Sequence, residues 1–319
     1  MAEVVALGEL LIDFTLQQTD WEGYPVMAAH PGGAPANFLA ALSRFGAETA
    51  LLAKVGNDAF GTLLAQTLQK EGVDLCGLRK DNEVFTTLAF VTLDGAGERQ
   101  FSFARKPGAD TCLRPEELDR ELIRGAKIFH FGSLSLTHEP ARSATQAALD
   151  LAKEAGCLIT YDPNYRPPLW DSPERAKEQM LWGLRQADVV KLSAEELEFL
   201  LGFDGPEAAQ QLLEEYDLKL LFVTLGERGC FFTNGRNSGK VRALGSLCVR
   251  DTTGAGDIFF GAAISRLLRS GKEPEQLSEA ELEETVRFAC TAAGLSVEKA
   301  GGISSIPTLE EVYRRMEGT

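Results

Sequence analysis

Asp257 is the residue of this 319-residue chain whose setting most directly suggests chemistry. It closes the run Val249-Arg250-Asp251-Thr252-Thr253-Gly254-Ala255-Gly256-Asp257 and opens an apolar, helix-patterned stretch from Ile258 to Leu268. Gly254, Ala255 and Gly256 leave little side chain to keep an anion from the backbone N–H groups. A helix start leaves those donors unpaired, and its dipole favours negative charge. An acid at the mouth of such a site is poorly explained by capping, because Asp251, Thr252 and Thr253 already offer capping oxygens. It is explained if Asp257 takes a proton from a group attacking a phosphate held by that backbone.

Other polar residues fall at comparable positions. Val4 to Leu7 reads as a buried strand closed by Gly8, with Asp13 a few residues beyond its carboxyl end, where open α/β sheets place ligands. A turn or capping role would explain Asp13 equally well. Pro31-Gly32-Gly33-Ala34-Pro35-Ala36-Asn37 precedes a helical pattern. Gly32 and Gly33 let a backbone come close to a ligand, and Asn37 offers a donor and an acceptor in the first turn. The spacing is not G-x-G-x-x-G, so a dinucleotide fingerprint is unsupported. In Asp162-Pro163-Asn164-Tyr165-Arg166, three hydrogen-bonding side chains alternate. They share one side if the extended geometry persists, and form a turn network otherwise.

Lys191-Leu192-Ser193-Ala194-Glu195-Glu196 ends a strand and starts a helix. Ser193 and Glu196 make a capping box, with contact to a metal's water shell as the alternative role of Glu196. Leu225-Gly226-Glu227-Arg228-Gly229 offers bare backbone after another strand, and also reads as a simple turn into a hairpin. His30, His130 and His138 are too dispersed for a zinc site. His130, between two phenylalanines, belongs to the core or behind the site.

These residues require a frame that gathers strand ends. Strands over 50–55, 128–131, 158–162, 189–190 and 220–224 alternate with helices over 58–71, 115–125, 140–155, 173–187, 194–201 and 206–216. Such alternation predicts an α/β fold with a mostly parallel sheet and helices on both faces. Thr86–Leu93 and Arg99–Phe103, joined by Asp94-Gly95-Ala96-Gly97-Glu98, interrupt the pattern with a β-hairpin. Edge extension of the sheet and a lid are both open readings of it.

Composition narrows the class. Hydrophobic content of 44% and charged content of 25% are those of a soluble globular protein. A net charge of −15 without any basic run excludes a nucleic-acid partner. No apolar run approaches a membrane span, and the first residues lack a signal-peptide pattern. The six scattered cysteines read as buried thiols of a cytoplasmic protein.

Taken together, the Gly32–Asn37 and Asp251–Gly261 segments resemble the signature motifs of the ribokinase-like, or PfkB, family of carbohydrate kinases. The likeness extends through Gly8–Asp13, the hairpin, Tyr161–Arg166 and Lys191–Glu196, and is strongest to fructokinases. It implies a three-layer α/β/α fold over 1–319 with a mostly parallel central sheet. A small β-sheet lid would be formed by about 14–31 and 84–105. The implied activity is ATP-dependent transfer of a phosphoryl group to O6 of D-fructose.

By resemblance, Asp257 matches the catalytic base, and the backbone of Gly254, Ala255 and Gly256 the anion hole. Asp13, Gly32, Gly33, Asn37, Arg105, Asp162, Asn164 and Arg166 match acceptor-side positions. Thr224, Gly226 and Gly229 match the nucleotide loop, and Lys191 a phosphate contact. Glu196 matches an acid that influences Mg²⁺, with Ser193 in place of the family's Asn. Asp251, Thr253, Ser296, Lys299, Gly301 and Ser305 fall where many members bind a monovalent cation such as K⁺. A homodimer through the lid is implied as well. The rival acceptor is 2-keto-3-deoxygluconate, whose carboxylate Arg105 and Arg166 could clamp. The rival class is a sugar or nucleotide sensor that has lost catalysis.

Overall fold

A computed structural model describes residues 2–93 and 99–318. The strands are β1 (Val4–Leu7), β2 (Leu11–Thr19), β3 (Pro25–Gly32), β4 (Thr49–Gly56), β5 (Leu78–Asp81), β6 (Leu88–Leu93) and β7 (Arg99–Ala104). They continue as β8 (Ile128–Gly132), β9 (Leu158–Asp162), β10 (Val189–Ser193), β11 (Leu220–Thr224), β12 (Cys230–Thr233) and β13 (Ser238–Val241). The helices are α1 (Ala34–Arg44), α2 (Ala59–Lys70), α3 (Arg120–Arg124), α4 (Ala141–Glu154) and α5 (Pro173–Leu184). After them come α6 (Ala194–Leu201), α7 (Pro206–Glu215), α8 (Ala255–Ser270), α9 (Glu279–Ser296) and α10 (Leu309–Glu317).

Nine strands form one sheet in the order β13-β12-β11-β10-β9-β8-β1-β4-β5. It is parallel from β5 to β11 and ends in antiparallel β12 and β13. Pleating explains the two helical layers. Val4 and Ala6 of β1 pack in one core with α1, α8 and α9, while Val5 and Leu7 join the opposite core with α4, α5 and α6. The chain starts at β1, adds β4 and β5 on one side, then crosses to β8 on the other. The order therefore reverses beside β1, and ligands of open α/β sheets collect at such reversals.

A second sheet has four strands in the order β3-β2-β6-β7. β1 ends at Leu7 and is closed by Gly8 as expected, and Asp13, beyond its carboxyl end, lies within β2 of the small sheet. β6 begins at Leu88 rather than Thr86, because Thr86 is diverted to Asp58, the cap of α2. Both its N–H and its hydroxyl donate there, at 2.8 and 2.9 Å. The turn Asp94–Glu98 lies outside the described residues.

One helix is shorter than its pattern predicts. Over 115–125 only Arg120–Arg124 is α-helical, after a 3₁₀ turn at Pro115–Glu117. Leu118 is extended (φ −68°, ψ 136°) and buried, and Asp119 then caps a fresh helix by accepting the Leu122 N–H. The cysteines also divide: Cys157, Cys230 and Cys290 are buried, whereas Cys76 and Cys248 are exposed in connecting segments that offer no core to enter. None is disulfide-bonded among the described residues.

Candidate active site

Asp257 is the third residue of α8 and is 8% exposed. The helix can start there because Gly254 takes a left-handed conformation, φ 76°, which other residues adopt at a cost. The loop is also packed too tightly for a side chain: a Cβ on Gly254 would lie 2.9 Å from the Gly302 Cα, and one on Gly256 3.0 Å from Lys191 Nζ. The loop therefore keeps side chains away from its backbone, with the Lys191 ammonium at its edge, while the Ala255 N–H donates to the Thr252 carbonyl at 3.3 Å.

Asp257 is not alone. The Asn37 Nδ2 amide donates to its Oδ2 at 2.8 Å, joining the first turns of α1 and α8. The two helices approach closely at Gly261, where a Cβ would lie 2.7 Å from the Phe38 carbonyl oxygen. Behind this contact His130 of β8 stacks on Phe38, ring centroids 3.9 Å apart, and meets Phe260 edge-on at 5.6 Å. Burial, reinforced by the Lys191 charge, pushes the His130 pKa down to about 3. It is a neutral core group, as its setting between phenylalanines suggested.

A cleft of about 370 Å³ opens above these residues. It brings together Asp13, Gly33, Asn37, Asn164, Arg166, Lys191, Gly254, Gly256 and Asp257, all singled out in the sequence. Gly32 sits beside it in register with Leu11. Asp162 does not line it. β9 ends at Asp162 and Asn164 turns to a left-handed φ of 47°, so the alternating arrangement of 162–166 fails. Asp162 instead pairs with Lys191 at 2.6 Å, both buried. Arg105 is likewise absent from the lining; its guanidinium is buried against Asp110, at 2.7 Å.

The carboxyls of the cleft are held back from ionising. Burial raises the Asp257 pKa to about 6; Asp162 adds to this, and Lys191, Asn37 and Arg166 oppose it. Burial also raises Asp13 to about 7 against the pull of Arg166. Burial acts on Lys191 in the other direction, but Asp162, Glu196 and Asp257 outweigh it and keep the ammonium charged.

A second cavity, of about 380 Å³, shares Asn164, Arg166 and Lys191 with the cleft and adds Ser193, Glu196 and Phe199. Here the capping box is formed: Ser193 Oγ accepts the Glu196 N–H at 3.1 Å, and Glu196 Oε2 accepts the Ser193 N–H at 2.8 Å. Glu196 Oε1 additionally accepts the Tyr165 N–H at 2.7 Å, tying β9's exit to β10's. Thr224 stands in register with Ser193 on the neighbouring strand, and Gly226 and Gly229 form the turn into β12. That turn closes as a hairpin, with Leu225 N–H donating to the Gly229 carbonyl at 2.8 Å.

The loop before α8 is fastened to the one after α9. Asp251 Oδ1 accepts the Thr253 N–H and hydroxyl, and its Oδ2 accepts the Gly301 N–H at 2.9 Å. Ser305 donates to the Gly302 carbonyl, and Ser296 to the Ala293 carbonyl. Lys299 points its ammonium to Glu311, 3.6 Å away, so only its backbone is available to a cation. Among the described residues no three acidic, histidine or cysteine side chains cluster as a metal cage.

Several lining residues carried no sequence signal of their own. Glu9 is 3% exposed, accepts the Ala34 N–H at 2.9 Å, and has its pKa raised by burial to about 7. Val91 and Phe103 of the small sheet, with Leu11 and Leu134, give the cleft an apolar side. A carboxylate within an apolar strand run was the available clue to Glu9. Nothing marked the apolar wall.

A mostly parallel sheet with a side-chain-free loop at a helix start, a buried acid beside it and two adjoining cavities suits an α/β phosphotransferase. The model of the pfkB family of carbohydrate kinases matches residues 1–309, and the chain belongs to that family. It is 44% identical over 319 residues to fructokinase-2 of Solanum lycopersicum, covering 99% of this chain and 96% of that protein. The structure of an ATP-bound fructokinase from Xylella fastidiosa superposes with a TM-score of 0.91 at 31% identity, covering 100% and 99% of the two chains. A double mutant of the Vibrio cholerae O395 fructokinase, bound to fructose, ADP and potassium ion, gives 0.86 at 32% identity over 98% of each chain. The chain is thus a carbohydrate kinase with the ribokinase-like fold expected of it. No helix among the described residues is long and apolar enough to cross a membrane.

Proposed function

We propose that the enzyme transfers the γ-phosphoryl group of ATP to O6 of D-fructose. The observation that carries this reading is the position of Asp257. A buried carboxylate oriented by Asn37 faces the acceptor cleft, beside a bare-backbone anion cradle and the Lys191 ammonium. Fructose as the acceptor rests on the likeness to fructokinases, one of them bound to fructose. Asp13, Gly32, Gly33, Asn37, Asn164 and Arg166 hold the sugar. Its hydroxyl oxygen forms the new bond to the γ-phosphorus as the bond to the β-phosphate oxygen breaks, and Asp257 receives the hydroxyl proton. Gly254, Ala255 and Gly256 N–H groups and Lys191 stabilise charge on the moving group, so catalysis is positioning plus electrostatics.

Thr224, Gly226 and Gly229 bound the adenine nucleotide. One or two carboxylates suit Mg²⁺, which keeps most of its shell as water and phosphate, and Glu196 lines the donor cavity. Bound there, it would neutralise phosphate charge. Asp251, Thr253, Ser296, Lys299, Gly301 and Ser305 would hold K⁺ through backbone carbonyls of two loops that Asp251 already ties together.

The small sheet acts as a lid that keeps water from the phosphoryl group. Its antiparallel β2–β3 arm exposes Leu16, Trp21, Tyr24 and Val26, with Trp21 at 90%, which supports a homodimer formed through the lid. Sedimentation as a monomer at micromolar concentration would remove that assembly. Cysteines without disulfide partners support a reducing cytoplasm. A coupled ADP-release assay over fructose, glucose, ribose and 2-keto-3-deoxygluconate tests the function. Fructose is expected to be the preferred acceptor, and no ADP with any sugar would favour the sensor.

A further inference from the structure

Asp110 does not line the cleft, yet both of its oxygens are engaged. Oδ1 accepts the Thr87 hydroxyl, and Oδ2 accepts Arg105 Nε at 2.8 Å and lies 2.7 Å from Nη2. The Arg105 and Asp110 side chains are each 2% exposed. Thr87 immediately precedes β6 and Arg105 immediately follows β7. One carboxylate therefore grips both ends by which the β6–β7 hairpin joins the body. Arg105 carries the grip to the cleft wall: Nη1 donates to the Thr137 hydroxyl at 2.9 Å and Nη2 to the Leu134 carbonyl at 3.0 Å, and Leu134 lines the cleft.

The pair also decides what charge the cleft meets. A guanidinium buried beside a sugar site, if left unneutralised, would attract a carboxylate strongly. Arg105 already has one, in bonds that a substrate could take only by displacing Asp110. The neighbouring charges on the cleft wall are then Glu9, Asp13 and Asp257 against Arg166 and Lys191, and Lys191 is itself paired with Asp162. Glu9 responds to both members of the buried pair, lowered by Arg105 and raised by Asp110, so their fields reach the cleft.

We propose that Asp110 is a specificity-determining positioning residue: by neutralising Arg105 inside the fold, it makes the cleft select uncharged sugars over acceptors that carry a carboxylate. This rests on the reading of the cleft as the acceptor site. It is tested by measuring kcat/KM for D-fructose and 2-keto-3-deoxygluconate in the full-length protein, its Asp110→Asn variant and its Arg105→Met variant.

Asp110→Asn keeps the shape and a hydrogen-bond acceptor while removing the charge. It is expected to raise the ratio of acidic-acceptor to fructose efficiency at least tenfold. Arg105→Met leaves the Asp110 charge and is expected to move that ratio the other way. Loose packing alone would lower both efficiencies and leave the ratio in place, and that result overturns the proposal. If Asp110→Asn does not fold, the Arg105→Met ratio and the wild-type preference still decide. A wild type that prefers the acidic acceptor overturns the proposal at any fructose rate. A wild type that prefers a neutral sugar other than fructose refutes the fructose assignment and leaves the charge selection standing.

Discussion

The Asn37 amide reaches Asp257 Oδ2 at 2.8 Å across 220 positions of sequence. Asp257, the proposed proton acceptor, is therefore oriented by the helix that begins at the Gly32-Gly33 turn. On the proposed reading, sugar placement and base placement are coupled through this one contact between α1 and α8.

Replacing Asp257 with Asn should preserve that contact, because the new amide oxygen can still accept from Asn37, while removing the proton acceptor. Turnover is expected to fall by about 10²–10⁴-fold with fructose binding largely intact. Steady-state rates set beside calorimetric sugar binding check this, and near-normal turnover would refute the base assignment.

Asn37→Ala should move the pH profile. Burial and Asp162 raise the Asp257 pKa to about 6, and the Asn37 hydrogen bond opposes them. Without it the carboxyl holds its proton to higher pH, so the acid limb of the kcat/KM profile should shift upward. An unmoved limb would mean that another group sets it.

Lys191→Met should leave the Asp162 carboxylate buried without its cation. Breaking one side of such a pair typically destabilises by about 3–5 kcal/mol. Urea denaturation should show a loss of that order, together with weaker nucleotide binding. A variant as stable as the parent would show that Asp162 finds another partner.

Glu9→Gln should change how stability varies with pH. The Glu9 pKa rises from 4.5 to about 7 on burial, so between those values the native state holds more proton than the unfolded chain. That contribution is present below the unfolded value and is lost as pH rises through the folded one. The variant lacks this loss. Its stability relative to wild type should therefore improve from pH 4.5 to pH 7, as denaturation midpoints across that range would reveal.

Gly261→Val should act on the chemistry from a distance. The added Cβ meets the Phe38 carbonyl at 2.7 Å and must push α1 from α8. Overpacking of this kind costs about 1–3 kcal/mol. Turnover should fall more than fructose affinity, since the Asn37–Asp257 bond spans the same seam.

Much of this was legible in the residues. Alternating apolar runs and helical stripes foretold the parallel sheet, because pleat and helix period are local. Ser193 and Glu196 announced their own capping box. Between the two readings of 162–166 the turn network holds: the Asn164 N–H donates to Asp162 Oδ1 at 3.1 Å, while the Asp162–Lys191 pair and the Glu196–Tyr165 bond that surround it are tertiary and were not legible locally. The Arg105–Asp110 pair lies only five positions apart, yet burial beneath the β6–β7 hairpin gives it meaning, and burial at one site is not written locally. Leu118 delayed the start of α3 to Arg120 for the same reason: the core claimed it.

The two cavities divide the chain unevenly. Away from the α8 loop and the shared Asn164, Arg166 and Lys191, the cleft proposed for the acceptor is walled by residues from Glu9 to Leu134, and the second cavity by residues from Tyr165 to Phe199. Substitutions in the first stretch, Asn37 with its bond to Asp257 excepted, should therefore alter the cleft while leaving the lining of the second cavity as it is. A lineage built on this plan can diversify its diet by rewriting its amino-terminal half alone.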